Sequence, residues 1–299
     1  MSTYHIGVAF GISSAFTATA VILWSREIQH REGPWRYMVL VTLGPAILGL
    51  VSWVAVSPDW SAELVNSALI TSLPMLLGVF LLGLALRKGH ASHVAPVMGA
   101  KVLIVTGLAA LFGFEPVQTN FWLAAVLLFV ALFLINGNPE IFRKPWQVLD
   151  VTLCTALVSC LSYSVADLLT RQRMAVYELG LWDFVTVSWV IRGTLMLTVY
   201  LIARAIRPFP LLPARPSTFW AGAPLYSLHG FVIIAAFKYT NSAIITNVLT
   251  NLRGVVSVFA VLILARFGMT RNETMSGPLF GIRLAGSLLV CIAVYIALQ

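Results

Sequence analysis

Positively charged side chains interrupt several apolar segments of this sequence. Lys101, Arg192 and Arg253 each lie at the middle of such a segment. A cation at the centre of a membrane helix costs roughly 2.5–3.5 kcal/mol on insertion scales, so it is expected to face a protein interior or a wet cavity. The segments contain one clear acid, Asp167, which cannot neutralise all of these cations. We therefore expect uncompensated positive charge at mid-membrane that binds an anion, or a zwitterion through its carboxylate.

The polar residues around Arg253 follow a helical spacing. In the stretch 241–266 they fall on one stripe at about 100° per residue, which predicts a helix lining a substrate path. A second polar stripe, in 152–170, includes Tyr163. The predicted substrate-binding residues are Arg253, Lys101, Arg192, Thr250, Asn247, Asn251, Thr246 and Tyr163. The alternatives are hydrogen bonds between helices for the hydroxyl groups, backbone carbonyls as the partners of Arg192, and a snorkelling or neutral Lys101.

Three titratable groups in or beside the apolar segments could carry a coupling proton: Asp167, His229 and Glu115. A structural hydrogen bond is the alternative role for each of them. The three cysteines form no CxxC pair, which argues against a disulfide framework and against a zinc site. We predict no catalytic residue, no metal site and no cofactor.

Composition determines which elements must position these residues. The chain has 299 residues, of which 59% are hydrophobic and 10% are charged. Soluble domains carry about 25% charged residues, so the composition predicts an all-α polytopic membrane protein. At about 20 apolar residues per span, we predict ten transmembrane helices. Their predicted bounds are Tyr4–Leu23, Tyr37–Val56, Leu64–Leu86, Ala91–Phe112, Asn120–Asn136, Val148–Thr170, Leu181–Ala203, Thr218–Phe237, Asn241–Arg266 and Ser276–Leu298.

A polar linker, Gly137–Gln147, divides the chain into halves of five predicted spans each, residues 1–147 and 148–299. Ser92–Glu115 and Ser242–Glu273 have the same order of features: a start rich in small residues, a basic residue at mid-membrane, an apolar run and a glutamate. Because each half has an odd number of spans, the two repeats must be inverted relative to each other. Inverted repeats with a binding site at the midplane are typical of secondary transporters.

With these repeats the chain resembles the drug/metabolite transporter superfamily, of the ten-span EamA-like kind. The segment FGFEPVQTNFWLAAVLLFVALFLIN, Phe112 to Asn136, is most similar to the end-of-repeat pattern of that family. The resemblance implies transport of a small metabolite. The sugar-phosphate translocators of the superfamily are similar in that they place basic residues on equivalent helices. The second repeat departs from the pattern because Arg271 and Asn272 precede Glu273.

The distribution of Lys and Arg predicts an orientation. Twelve of these residues lie in odd-numbered connections between spans and three lie in even-numbered ones. The positive-inside rule then places the odd connections in the cytoplasm and both termini outside. We expect a multi-pass protein of the cell inner (plasma) membrane, monomeric or homodimeric. The net charge of +8 serves topology, and no nucleic-acid partner is predicted.

The function predicted from these features is secondary transport, by alternating access, of a small anionic or zwitterionic metabolite. One alternative is export of neutral or cationic amphiphiles, such as drugs or amines, which would depend on Asp167. A second alternative is a membrane-embedded enzyme. The sequence contains no HExxH or GxSxG motif and no pair of acids at span centres, so we predict that the protein is not an enzyme.

Overall fold

The computed structural model describes residues 2–88, 100–136, 151–206, 216–266 and 277–299. Within these ranges the regular structure consists of ten helices and no strand. They are α1 Thr3–Val56, α2 Ala62–Lys88, α3 Lys101–Phe112, α4 Thr119–Asn136, α5 Val151–Val176, α6 Leu181–Ile206, α7 Pro216–Thr240, α8 Ala243–Thr250, α9 Arg253–Arg266 and α10 Gly277–Ala297.

Six segments of the described chain are long and apolar enough to cross a membrane. They are Thr3–Ile22, Tyr37–Val56, Ala62–Ala85, Leu153–Val176, Leu181–Ala205 and Ala243–Ala260. The all-α polytopic membrane fold is thereby confirmed, whereas the number of ten spans stays a prediction. The linker Gly137–Gln147, the predicted start of the fourth span at Ala91, and Glu273 lie outside the described residues.

The first two predicted spans form one continuous helix, α1, whose axis turns back on itself. The hydroxyls of Ser25 and Tyr37 lie 3.5 Å apart. A straight helix would place residues twelve positions apart at a separation of about 18 Å, beyond the reach of these two side chains. Both parts of α1 accordingly pack on α7: Gly7 touches the backbone of Thr240, and Gly44 touches Ala223.

The segment predicted as the ninth span, Asn241–Arg266, is divided into two helices, although Ala243–Ala260 within it is long and apolar enough to cross a membrane. Helix α8 ends at Thr250, and α9 begins at Arg253 after a turn. The hydrogen bonds from Leu252 N to Leu249 O (3.0 Å) and from Gly254 N to Asn251 O (3.0 Å) span three residues instead of four. The hydroxyl of Thr250 also bonds back to a carbonyl of its own helix, an interaction that bends helices. The break makes Arg253 the first residue of a helix.

Close approaches through small residues hold the remaining helices together. Ser159 on α5 donates a hydrogen bond to the carbonyl of Gly78 on α2 at 2.8 Å. Gly286 on α10 leaves no room for a Cβ beside the carbonyl of Ala131 on α4. Helix α5 also runs on to Val176, past the end predicted at Thr170, so Arg171 and Arg173 are helical.

The connections 113–118, 177–180 and 241–242 lie together on one face of the bundle, which we call the even face. Lys238, near the third connection, donates a hydrogen bond to the carbonyl of Leu179 in the second at 2.8 Å. Asn120, just after the first, donates to the carbonyl of Ile296 at the end of α10 at 3.3 Å. Since Gly7 touches Thr240, both ends of the chain lie on this face.

Candidate functional site

Helices α3, α5 and α8 meet at a buried ion pair. Lys101 Nζ lies 2.6 Å from Asp167 Oδ2, and these side chains are 14% and 9% exposed. Asn247 Nδ2 donates a hydrogen bond to the same carboxylate oxygen at 2.9 Å. The ammonium of Lys101 also lies 5.6 Å from the ring centre of Tyr163, within the range of a cation–π contact. Four predicted site residues therefore form one cluster, in which Asp167 compensates the charge of Lys101.

Arg253, at the start of α9, has no such compensation. Within the described part of the chain its guanidinium has no hydrogen-bond or ion-pair partner. It is close enough to Tyr163 and His229 to interact with them electrostatically. Its backbone carbonyl accepts a hydrogen bond from the hydroxyl of Thr19 at 3.3 Å, which holds the start of α9 against α1. This partly buried cation is the one that most needs a ligand or water.

Arg192 reaches the same cluster from α6. Its Nε donates a long hydrogen bond, 3.4 Å, to the hydroxyl of Ser72 on α2. Its charge also interacts with that of Asp167. The cluster thus holds three cations, Lys101, Arg192 and Arg253, of which the first is paired with Asp167.

His229, on α7, contacts α1. Its Nδ1 is 3.0 Å from the hydroxyl of Thr17. The charges of Arg253 and Lys101 both reach the ring. The structure therefore places Asp167 and His229, two of the three candidates for proton coupling, at the central cluster.

The hydroxyl and amide groups predicted along α8 are mostly engaged within the protein. Thr250 Oγ1 is 2.6 Å from the hydroxyl of Ser14 on α1. Thr246 is fully buried and donates to the carbonyl of Ser242 at 2.9 Å. Asn251 donates from its side chain to its own helix, and its buried Oδ1 has no partner in the described chain. These residues fix α8 in place, and their predicted contact with substrate stays a prediction.

Glu115, the third proton-coupling candidate, lies at the even face instead of the centre. Its carboxylate accepts hydrogen bonds from Ala243 N at 2.9 Å and Ile244 N at 3.0 Å, at the start of α8. A carboxylate at that position satisfies free N–H groups and complements the helix dipole. Arg171 Nε lies 3.6 Å from the same carboxylate. Sequence reasoning missed Arg171, because the predicted end of α5 at Thr170 assigned it to a connection.

A polytopic helical bundle with a broken helix and charged side chains at its centre has the architecture of a membrane transporter. Residues 5–137 match the EamA-like transporter family. The predicted resemblance to the drug/metabolite transporter superfamily is thereby confirmed over this part of the chain, and the matched family implies a membrane transporter of the drug/metabolite type.

The fold is shared with solved structures. One of them, titled only "Crystal structure of protein", superposes with a TM-score of 0.68 over 98% of this chain and 97% of its own, at 14% sequence identity. At that identity the likeness shows the fold alone. A search of curated protein sequences finds no significant match.

Proposed function

We propose that the protein is a secondary transporter of a small anionic or zwitterionic metabolite in the cell inner membrane. The observation that carries the proposal is the Arg253 guanidinium, which lacks an ionic partner in the described chain. Pairing between Lys101 and Asp167 leaves Arg253 and Arg192 as excess positive charge. A carboxylate or phosphate group would offset that excess, and a guanidinium can bind either through two parallel hydrogen bonds.

The broken helix favours the same ligand. Arg253 is the first residue of α9, where the helix dipole adds partial positive charge. Discontinuous membrane helices that direct such ends at anionic substrate groups are a recurring feature of transporters. The start of α9 and the Arg253 side chain therefore form the proposed anion subsite.

Export of a cationic amphiphile is less well supported, because the acid it requires is already occupied. Asp167 accepts from Lys101 and Asn247 through one oxygen. An amine would have to displace an ammonium that is only 2.6 Å away. It would also have to enter a site with two further arginines.

Asp167 and His229 are the proposed proton carriers. When a substrate anion binds Lys101, Asp167 loses its ionic partner and becomes able to accept a proton. This exchange would couple entry of an anion to entry of a proton. The ring of His229, held by Thr17, lies at the same cluster.

The helix contacts support the proposed halves, residues 1–147 and 148–299, as inverted repeats. With five spans in each half, the third predicted span corresponds to the eighth, and the sixth corresponds to the first. A contact between the third and sixth spans therefore implies an equivalent contact between the eighth and first spans. Both pairs are extensive contacts of the bundle: α2 packs on α5, and α7 packs on the first part of α1. The fifth and tenth predicted spans, α4 and α10, exchange with each other and also pack together. Alternating access then follows from rocking one half against the other around the central cluster.

The test is uptake of anions into proteoliposomes. Candidate organic acids and sugar phosphates are first screened by their effect on thermal stability of the purified protein, beside amino acids and amines. Saturable uptake of the anion that stabilises the protein should fall by tenfold or more in Arg253→Gln protein that remains folded. Arg173→Gln is the matched control, because Arg173 contacts Tyr177 at the even face, away from the cluster. Full uptake by Arg253→Gln protein, or stabilisation by amines alone, would refute the proposal.

A further inference from the structure

A pocket of about 460 Å³ opens at the even face, outside the central cluster. Arg171 and Lys238 contribute positive charge to its wall, Glu178 contributes negative charge, and Phe237 and Met174 contribute apolar surface. A volume of this size is sufficient for a small metabolite. The pocket therefore has the size to hold a small anion, and its two cations outnumber its one carboxylate.

Arg171 also holds three segments of the even face together. Its Nη1 donates to the carbonyl of Phe114 at 2.8 Å, and its Nε donates to the carbonyl of Asn241 at 2.9 Å. The same Nε lies 3.6 Å from Glu115 Oε2. Glu115 in turn binds the first N–H groups of α8. Glu115, in the predicted first half, is thus joined through Arg171 to α5 and through its own hydrogen bonds to α8, both in the second half.

This linkage lies between the pocket and the central cluster. Asp167 is four residues before Arg171 on α5, so it lies about one turn further into the bundle on the same helix face. Ser164, on that face again, is fully buried and donates to the carbonyl of Lys101 at 3.4 Å. A ligand that moves from the pocket towards Lys101 along α5 must pass Arg171.

We propose that the pocket is the vestibule of the even face and that Arg171 is its gate. This inference rests on the anionic substrate of the proposed function. A carboxylate or phosphate group held by Lys238 replaces Glu115 as the ionic partner of Arg171. Glu115 keeps its hydrogen bonds to α8 during this exchange, so α8 can move away from α5 as a capped helix. The 3.6 Å separation of Arg171 and Glu115 is that of a loose ion pair, which a better-placed anion can replace.

The test measures how fast a cysteine placed inward of the gate reacts. Ser164→Cys is introduced into protein whose Cys154, Cys160 and Cys291 have been replaced by alanine. The protein is reconstituted into proteoliposomes, and a membrane-impermeant methanethiosulfonate is added outside. In a parallel preparation, Asp59→Cys reports the fraction of molecules with the even face outward. Its exposed connection, 57–61, lies on that face, because the hydroxyl of Ser52 near the end of α1 is 3.0 Å from that of Thr186 near the start of α6.

Loss of the gate should expose the inner cysteine. Arg171→Gln should speed labelling about tenfold or more, because hydrogen bonds and an ion pair to the connections 113–118 and 241–242 are lost. If Arg171→Gln protein does not fold, Glu115→Gln serves as the second variant. It retains an oxygen that accepts from the start of α8, and it should also speed labelling. Arg173→Gln removes the same charge from the same helix and should leave the rate unchanged.

Inorganic phosphate and succinate serve as probes of the vestibule. Added outside, either anion should speed labelling when Arg171 and Lys238 are present, and the effect should be lost in Lys238→Gln protein. If Arg171→Gln protein is labelled no faster than Arg173→Gln protein, Arg171 is not a gate. This result would overturn the gate even if uptake depends on Arg253 and the proposed function holds. Fast labelling of Arg171→Gln protein without acceleration by either anion would overturn the anion-binding role of the pocket.

Discussion

Replacing Asp167 by Asn separates the stabilising role of the central ion pair from its part in anion binding. The substitution keeps the shape of the side chain and an oxygen that can still accept from Asn247, but it removes the charge opposite Lys101. Two consequences follow from the structure: the protein loses stability, and the affinity for an anion rises because an internal competitor for Lys101 has been removed.

The expected loss of stability can be sized from the burial of the pair. Exposed ion pairs contribute about 0–1 kcal/mol, whereas removal of one partner from a buried pair costs about 3–5 kcal/mol. With side chains 14% and 9% exposed and a separation of 2.6 Å, this pair belongs to the second class. We expect Asp167→Asn to lower the free energy of unfolding by about 3 kcal/mol. Lys101→Met should cost a similar amount, and the double variant should lose about 2–3 kcal/mol less than the sum of the two.

The assay is a double-variant cycle of unfolding in mixed micelles, combined with anion titration of the same four proteins. Anion affinity should rise about tenfold in Asp167→Asn and should not rise in the double variant, which lacks the ammonium. Any dependence of uptake on a proton gradient should also be lost in Asp167→Asn. Single losses that add to within about 0.5 kcal/mol in the double variant would refute the ion pair as a coupled unit. Unchanged anion affinity would refute competition between Asp167 and the substrate.

Two further predictions test how the helices are positioned. Gly7→Leu should lower the free energy of unfolding by about 1–3 kcal/mol, because no space exists for a side chain against α7. Gly281→Ala, in open space, should leave the free energy of unfolding unchanged or raise it by up to about 1 kcal/mol. Thermal unfolding in detergent measures both variants. Tyr226→Phe should cost about 1 kcal/mol, because the Tyr226 hydroxyl binds both Ser25 and Tyr37 where α1 turns back. Equal stability of Tyr226→Phe and wild-type protein would contradict a role of that hydroxyl in holding the turn.

The sequence was sufficient for the class of fold because bilayer dimensions constrain apolar segments more strongly than any local propensity. The helix bounds at Leu181, Asn136 and Val56 agree with those predicted. The break after Thr250 was not predictable from hydropathy, because the segment Ala243–Ala260 remains apolar enough to cross the membrane. Its origin lies in hydroxyl and backbone hydrogen bonds, which an apolar pattern does not encode.

The identities of the charged residues were accessible from sequence, but their partners were not. Lys101 and Asp167 are far apart along the chain, and only the packing of α3 on α5 brings them to 2.6 Å. Considered one at a time, the cations Lys101 and Arg253 were equivalent. The structure pairs the ammonium of Lys101 with Asp167 and gives the guanidinium of Arg253 no partner within the described residues. The role of Arg171 depended on where α5 ends, which a hydrophobicity pattern determines poorly because the last turn of a helix can be polar.

The unfavourable position of Arg253 is itself an argument for selectivity. A cation at the first residue of a helix opposes the helix dipole by about 0.3–1 kcal/mol, in addition to roughly 2.5–3.5 kcal/mol for a charge at mid-membrane. Neither cost is relieved by a hydrogen-bond or ion-pair partner in the described chain. An anion relieves both costs when it binds, whereas a neutral ligand relieves neither and a cation increases them. In the proposed function, discrimination by charge would therefore arise from the placement of Arg253 before any contact with the remainder of the substrate.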